Sequence, residues 1–247
     1  MILTIVVGNT NTRLVWLDGR RVVGSRVVPT AAVLRDRLPR PGRVRRVAVA
    51  SVVPDVTRRV CTRLLDATGL EPFLVGPRTR TPLRFRYRRR DLGTDRVCVA
   101  VGAWQRFPGQ DIIVFDFGTA TTVNVILREG IFAGGTILPG IQMSLDALAA
   151  TTAALPHLLP GAVRSPIQRD TRSAMRAGVA CLFAGGIERL ITGIEQSTGR
   201  TFRIVATGGG ARTARGYVKR INAVFPHLAS EGLAELCRLN CPKPATP

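Results

Sequence analysis

The sequence predicts an α/β protein built from two copies of one strand-rich unit, with a cleft between them. Three observations carry this. The 247 residues are 45% hydrophobic and 21% charged, which is enough apolar material for a packed core. Short apolar runs alternate with amphipathic segments along the whole chain, as strands and helices do. Finally, the pattern restarts at residue 112: a shift of 110 lays ILTIVVGNTNTRLVWL over IIVFDFGTATTVNVIL, Gly8 on Gly118 and Thr12 on Thr122. The expected halves are 1–108 and 109–247, each opening with strand, small polar turn, strand.

Taken in order, residues 2–7 read as a buried strand broken by Gly8-Asn9-Thr10-Asn11, and 13–17 as its partner. Asp18-Gly19 is a hairpin signal into a third strand over 21–28. A helix is expected over 31–38 and a buried strand over 45–53, closed by Pro54. An amphipathic helix over 55–68 takes Asp55 as its N-cap. A short strand at 72–75, a basic irregular stretch at 78–90 and a helix over 94–107 complete the first half. The second half reads as strands at 112–117, 123–127 and 131–136, then helix over 139–154. A long helix over 172–199, interrupted near Gly185-Gly186, precedes a strand at 203–206 and a closing helix over 231–240.

The chain carries 36 Lys+Arg against 16 Asp+Glu, a net charge of +20. All but Lys219 and Lys243 are Arg, spread over the whole chain. A bias in the coding sequence explains that spread, and a nucleotide suits the charge better than a nucleic acid does. The stretch RFRYRRR, Arg84–Arg90, reads first as a solvated basic loop and second as a guide for anions. The five cysteines form no CxxC pair, and Cys237 and Cys241 stand one helical turn apart. Free thiols in a reducing compartment are expected. No run of about 18 uncharged apolar residues occurs, and the N-terminus lacks a basic n-region, so the cytoplasm is the expected compartment.

The two polar turns are the chemical signal. Glycine lets a ligand approach the backbone, and successive N–H groups form a concavity that suits phosphate. Plain hairpin glycines remain the bland alternative. Asp116 inside an apolar strand needs a partner or a cation. Asp95-Arg96 is either a helix-start carboxylate with a surface arginine or a base with its counter-ion. The stretch Thr207–Ala211 is a glycine-rich connection after a strand, functional or merely linking.

Seven pieces in order resemble the type III pantothenate kinase family of the acetate and sugar kinase/Hsp70/actin superfamily. They are VVGNTNT, ASVVP, LGTDR, FDFGTATTVNVI with GGTILPGIQMSLDAL, DTRSAMRAG and VATGGGA. The resemblance implies a duplicated ribonuclease H-like (actin-like ATPase) fold. It implies ATP-dependent phosphorylation of pantothenate, the first step of coenzyme A biosynthesis, with Mg-ATP and a monovalent cation (K+ or NH4+), in a homodimer.

Carried over by position, Gly8, Asn9, Thr10, Asn11, Thr12 and Arg13 would bind ATP, together with Thr119. Asp95 resembles the general base, with Gly93, Thr94 and Arg96 holding pantothenate beside it. Asp116 resembles the cation ligand, and Thr171 the residue that reaches substrate from the other protomer. Tyr87 resembles the family's substrate tyrosine, one residue closer to Gly93 than usual and without the intervening proline.

One departure bears on activity. The family's first loop reads D-x-G-N-[ST], and here Val6 stands where the aspartate would. The internal repeat shows the same gap, since Val6 lies opposite Asp116. Valine offers no oxygen to a metal shell. A non-catalytic relative, a pseudokinase or regulator, is therefore the alternative function, and an arginine-rich nucleic-acid binder is a distant third.

Overall fold

The structure is a computed structural model that describes residues 1–35 and 44–241. The first strands are β1 (Ile2–Val7), β2 (Asn11–Asp18), β3 (Arg21–Pro29) and β4 (Arg46–Ser51). Then come α1 (Pro54–Thr68), β5 (Phe73–Leu74), β6 (Arg84–Phe85) and α2 (Thr94–Arg106). The chain continues through β7 (Ile112–Phe117), β8 (Ala120–Leu127), β9 (Ile131–Gly134), β10 (Ile137–Pro139), α3 (Ile141–Ala150) and α4 (Thr171–Thr198). It ends with β11 (Arg203–Thr207), α5 (Ala211–Tyr217), β12 (Ala223–Val224) and α6 (Leu228–Asn240).

The duplication is written in the sheets. One has the order β3-β2-β1-β4-β5. The other contains β9-β8-β7-β11-β12, the same order from corresponding strands, with β6 added beside β9 and β10 on β8. β1 and β7 share one burial pattern, four buried residues, one partly exposed, one buried, and the partly exposed positions are Val6 and Asp116. The turns differ by one residue. Gly8 N–H donates to Asn11 O, whereas Gly118 N–H donates to Ala120 O. The second turn is therefore tighter, and Thr12 corresponds to Thr121 rather than to Thr122. Both threonines are buried second residues of their strands.

By contacts the described residues divide into two units, the first comprising 1–110, 126–134 and 227–241, and the second 111–125 and 135–226. In the first, β1 pairs antiparallel with β2 and parallel with β4, bringing Val7 opposite Thr12 and Ser51. Leu3, Ile5, Leu14, Val47, Val49, Val60 and Leu64 form its core. α2 and α6 touch backbone to backbone at glycines: a Cβ on Gly232 would lie 1.9 Å from Cys98 O, and one on Gly102 2.2 Å from Leu228 O. In the second unit β7 pairs parallel with β11. Leu145 and Leu158 pack with Met175 and Val179 of α4, while Phe183 meets Phe117 with ring centroids 5.6 Å apart.

Several local expectations change. The helix over 31–38 is a 3-10 turn at Thr30–Ala32, and 36–38 lie outside the described residues. Asp55 does not cap α1, because Pro54 takes the first helical position and places Asp55 inside the first turn. Gly185-Gly186 does not interrupt α4, which is continuous over 28 residues. By length and composition α4 is also apolar enough to cross a membrane, and a third of that window is buried in the unit. Pro139 belongs to β10, and α3 starts after Gly140.

Candidate functional site

The first polar turn leaves the end of β1. Asn9, Thr10 and Asn11 are exposed, Gly8 and Arg13 partly exposed, and Thr12 buried. A Cβ on Gly8 would lie 3.0 Å from Asn11 O, so the bend is built for glycine. Thr30 braces the bend from β3's end. Its hydroxyl donates to Gly8 O at 2.7 Å, its backbone N–H donates to Thr10 O at 2.8 Å, and Thr12 Oγ1 stands 3.0 Å from Thr30 Oγ1.

The expected acceptor site starts α2 at the same end of the sheet. Val52 N–H donates to Val7 O, just before Gly8, while Thr94 Oγ1 donates to Ser51 O at 2.8 Å. Ser51 Oγ accepts from Val53 N–H at 3.1 Å and lies 2.6 Å from Thr57 Oγ1. The end of β4 thereby gathers the starts of α1 and α2 around one residue.

Asp95 is partly buried in the first turn of α2, and its Oδ1 accepts from Arg96 N–H at 2.8 Å. A Cβ on Gly93 would fall 2.5 Å from that oxygen, so any side chain at 93 would push the carboxylate out of this position. Burial pushes the Asp95 carboxyl up from its ordinary value, and the Arg96 N–H and guanidinium pull part of the way back. Arg96 is 5% exposed, its guanidinium 5.6 Å from the Tyr87 ring centroid and 5.7 Å from that of Phe132. Burial lowers the Arg96 pKa, while Tyr87 and Asp95 act against that. The structure thus brings Gly93, Thr94, Asp95, Arg96 and Tyr87 together despite the short spacing from Tyr87.

The basic stretch is more ordered than expected. Arg84, Arg86, Arg88 and Arg90 are exposed, while Phe85, Tyr87 and Arg89 turn inward. Phe85 packs on Phe132 at 5.2 Å, and Arg89 lies over Phe85 at 4.4 Å. The alternation of a strand edge explains this, with one face solvated and one packed.

In the second unit, Thr119 is exposed at the tip of its turn, and its carbonyl accepts from Gly140 N–H at 3.1 Å. A Cβ on Gly140 would lie 2.4 Å from Thr119 O, which fixes glycine there. Asp116 is opposite Thr207 in the β7–β11 register. Gly208 follows with φ of +89°, and a Cβ on it would stand 2.4 Å from Asp116 Oδ1 and 2.6 Å from Phe117 O. A carboxylate and a carbonyl oxygen therefore share a cradle that any side chain at 208 would fill. Thr171 is the exposed first residue of α4, next to Asp170, whose side chain caps the helix by accepting from Ser173 N–H at 2.9 Å. Cys237 and Cys241 do face each other on α6, sulfur to sulfur 3.9 Å. Thr30 escaped the sequence reading, since a lone threonine between strands carries no local pattern, while Ser51 and Gly140 lay inside the resembling pieces ASVVP and GGTILPGIQMSLDAL without a role.

Comparison with known proteins places these residues in a family. The family model described as "Type III pantothenate kinase" matches residues 2–193. A type III pantothenate kinase of Anaeromyxobacter sp. (strain K) is 35% identical, covering 97% of this chain and 100% of its own. The one from Bifidobacterium longum subsp. infantis is 33% identical, covering 97% and 99%. Solved structures share the fold at lower identity. A conserved putative Baf family transcriptional activator from Campylobacter jejuni has a TM-score of 0.64 at 19% identity, covering 96% of this chain and 98% of its own. A putative 2-dehydro-3-deoxygalactonokinase from Sinorhizobium meliloti has a TM-score of 0.59 at 13% identity, covering 98% and 100%. The fold is that of the actin-like ATPases and sugar kinases, and with two repeated sheets, a glycine turn on each and matching relatives along nearly its full length, the chain belongs to the type III pantothenate kinase family.

Proposed function

We propose that this chain transfers the γ-phosphoryl group of ATP to the primary hydroxyl of pantothenate, giving 4'-phosphopantothenate, the first step toward coenzyme A. The observation that carries the reading is Asp95. It is a partly buried carboxylate with a raised pKa, packed against Gly93 and a buried arginine, on a helix start bonded to the strand next to the Gly8 turn. Nothing in the comparisons supports the non-catalytic alternative.

In this reading the acceptor oxygen attacks the γ-phosphorus, the bond from that phosphorus to the β–γ bridging oxygen breaks, and ADP leaves. Asp95 accepts the hydroxyl proton late in transfer. Its raised pKa brings it closer to neutrality, where a general base works best. Arg96 holds the substrate carboxylate through its fork, with Gly93, Thr94 and Tyr87 around it. Gly8, Asn9, Thr10, Asn11 and Arg13 hold phosphate oxygens, and Thr119 is assigned to the same group. Thr12, expected among them, is fully buried with its hydroxyl turned to Thr30, so it holds the turn from behind. Mg2+ bound to ATP would neutralise phosphate charge.

Asp116 is assigned the monovalent cation. The carboxylate and the Phe117 carbonyl around the Gly208 cradle are oxygen donors of the kind a hard cation takes. A homodimer is what the family resemblance implies for this chain. Free cysteines fit a cytoplasmic setting. The test is pantothenate-dependent ADP release, with 4'-phosphopantothenate identified by mass, in the natural chain and in Asp95→Asn. Turnover in the first and its loss in the second support the reading, and a folded natural chain without turnover overturns it.

A further inference from the structure

Thr30 lies outside every motif, yet it makes three hydrogen bonds to the turn that carries the proposed phosphate ligands. It is 4% exposed, at the start of the 3-10 turn after β3. Its hydroxyl hydrogen goes to Gly8 O at 2.7 Å, so Thr12 must be the donor in the 3.0 Å contact between the two hydroxyls. Its backbone N–H goes to Thr10 O at 2.8 Å.

A trans peptide is planar, with its carbonyl and its N–H pointing in opposite directions. Fixing Gly8 O toward Thr30 therefore turns Asn9 N–H away from it. Fixing Thr10 O toward Thr30 does the same to Asn11 N–H. Both N–H groups thus point away from Thr30, on residues Asn9 and Asn11 that are exposed. The second turn is held differently. Thr121, the counterpart of Thr12, has a buried Oγ1 with no hydrogen-bond partner among the described residues, and Gly140 N–H donates to Thr119 O in that turn.

We propose that Thr30 is a positioning residue for nucleotide binding, orienting the Asn9 and Asn11 N–H groups toward the phosphates of ATP. This rests on the kinase reading. The brace matters more in this chain than in one with a carboxylate at position 6, because Val6 supplies no oxygen to order metal-bound phosphates at this turn. Thr30 acts on ground-state nucleotide affinity and leaves the acceptor site untouched.

The experiment is titration of the full chain with a non-hydrolysable ATP analogue and Mg2+ by calorimetry, with thermal unfolding and both KM values measured alongside. Thr30→Ser keeps the hydroxyl and should bind like the natural chain. Thr30→Val should weaken binding about tenfold, the size of one charge-assisted hydrogen bond, and raise KM for ATP with KM for pantothenate unchanged. A Thr30→Val chain that is less stable but binds equally well shows a structural role only and overturns the proposal. So does a folded Thr30→Ser chain that binds as weakly as the valine variant. Amide exchange in the natural chain gives an independent readout if the valine variant does not fold: the analogue should slow exchange at Asn9 and Asn11, and unchanged exchange at both overturns the proposal. A natural chain that binds no nucleotide overturns the kinase reading itself. One that binds tightly without responding to Thr30→Val overturns only the role of Thr30.

Discussion

The Thr94 hydroxyl donates to the Ser51 carbonyl at 2.8 Å and joins the first residue of α2 to the last of β4. Asp95 is the next residue along, so this bond sets where its carboxylate stands. Thr94→Val deletes the donor at a cost of about 1 kcal/mol and frees the helix start to shift. Misplacement of a catalytic group is expensive, so kcat/KM for pantothenate should fall about tenfold or more in Thr94→Val. Thr94→Ser should restore it. Steady-state kinetics with both substrates varied check this, and equal values for valine and serine would remove Ser51 from the account.

Asp95→Asn should separate activity from stability. Burial raises the Asp95 pKa, and Arg96 offsets it only in part. A carboxyl whose folded pKa lies above its unfolded one favours the fold most when protonated. That contribution is present below the unfolded pKa and is lost as pH rises through the folded one. At neutral pH the ionised group therefore costs stability, and Asp95→Asn should raise Tm while lowering kcat by roughly 10²–10⁴. The acid limb of kcat/KM in the natural chain should sit above the usual aspartate range. A limb at ordinary carboxylate pH would show that Asp95 is not the base.

Much of this site was legible because the sequence repeats itself. Laying Gly8 on Gly118 and Val6 on Asp116 needs only the strand pattern, and the two sheets confirm both pairs. The one-residue difference between the turns was not legible, because a backbone bond from Gly118 to Ala120 rather than from Gly8 to Asn11 leaves no trace in residue type. The contacts of Gly102 with Leu228 and of Gly232 with Cys98 were also hidden. A glycine in a helix reads as a weak position until the helix packed on it is known. Tyr87 shows the reverse. Its spacing to Gly93 is one residue short, yet its ring stands 5.6 Å from the Arg96 guanidinium, with a 3-10 turn at Arg89–Asp91 between the two in the chain.

Val6→Asp should increase the rate. Val6 is the partly exposed position of β1, as Asp116 is of β7, so a carboxylate there escapes full desolvation. Arg13 stands directly opposite Val6 across the β1–β2 pair, on the same face of the sheet, and would partner the new charge. An oxygen ligand for the metal-bound phosphates is worth several kcal/mol at a phosphoryl-transfer transition state, so a gain of about tenfold in kcat is a conservative expectation. Stability should change little. An unchanged or lower kcat in a folded Val6→Asp chain would mean that this turn has found another way to order the phosphates.

Gly208→Ala should be far more damaging than Gly209→Ala, one residue on. Gly208 has φ of +89°, outside the range open to a side chain, and its Cβ would stand 2.4 Å from Asp116 Oδ1 and 2.6 Å from Phe117 O. Backbone strain of about 1–3 kcal/mol then adds to a clash that only movement of Asp116 or of the β7 backbone can relieve. Gly209 has no neighbour within 4 Å of its would-be Cβ and no positive φ. Thermal unfolding should show a drop of several degrees or more for Gly208→Ala and almost none for Gly209→Ala. If the Gly208→Ala chain still folds, displacement of Asp116 should appear as a higher K+ concentration for half-maximal rate at fixed ATP. Equal Tm losses for the two variants would mean that the backbone at 208 relaxes freely, and the cradle around Asp116 would then not be a fixed feature of the fold.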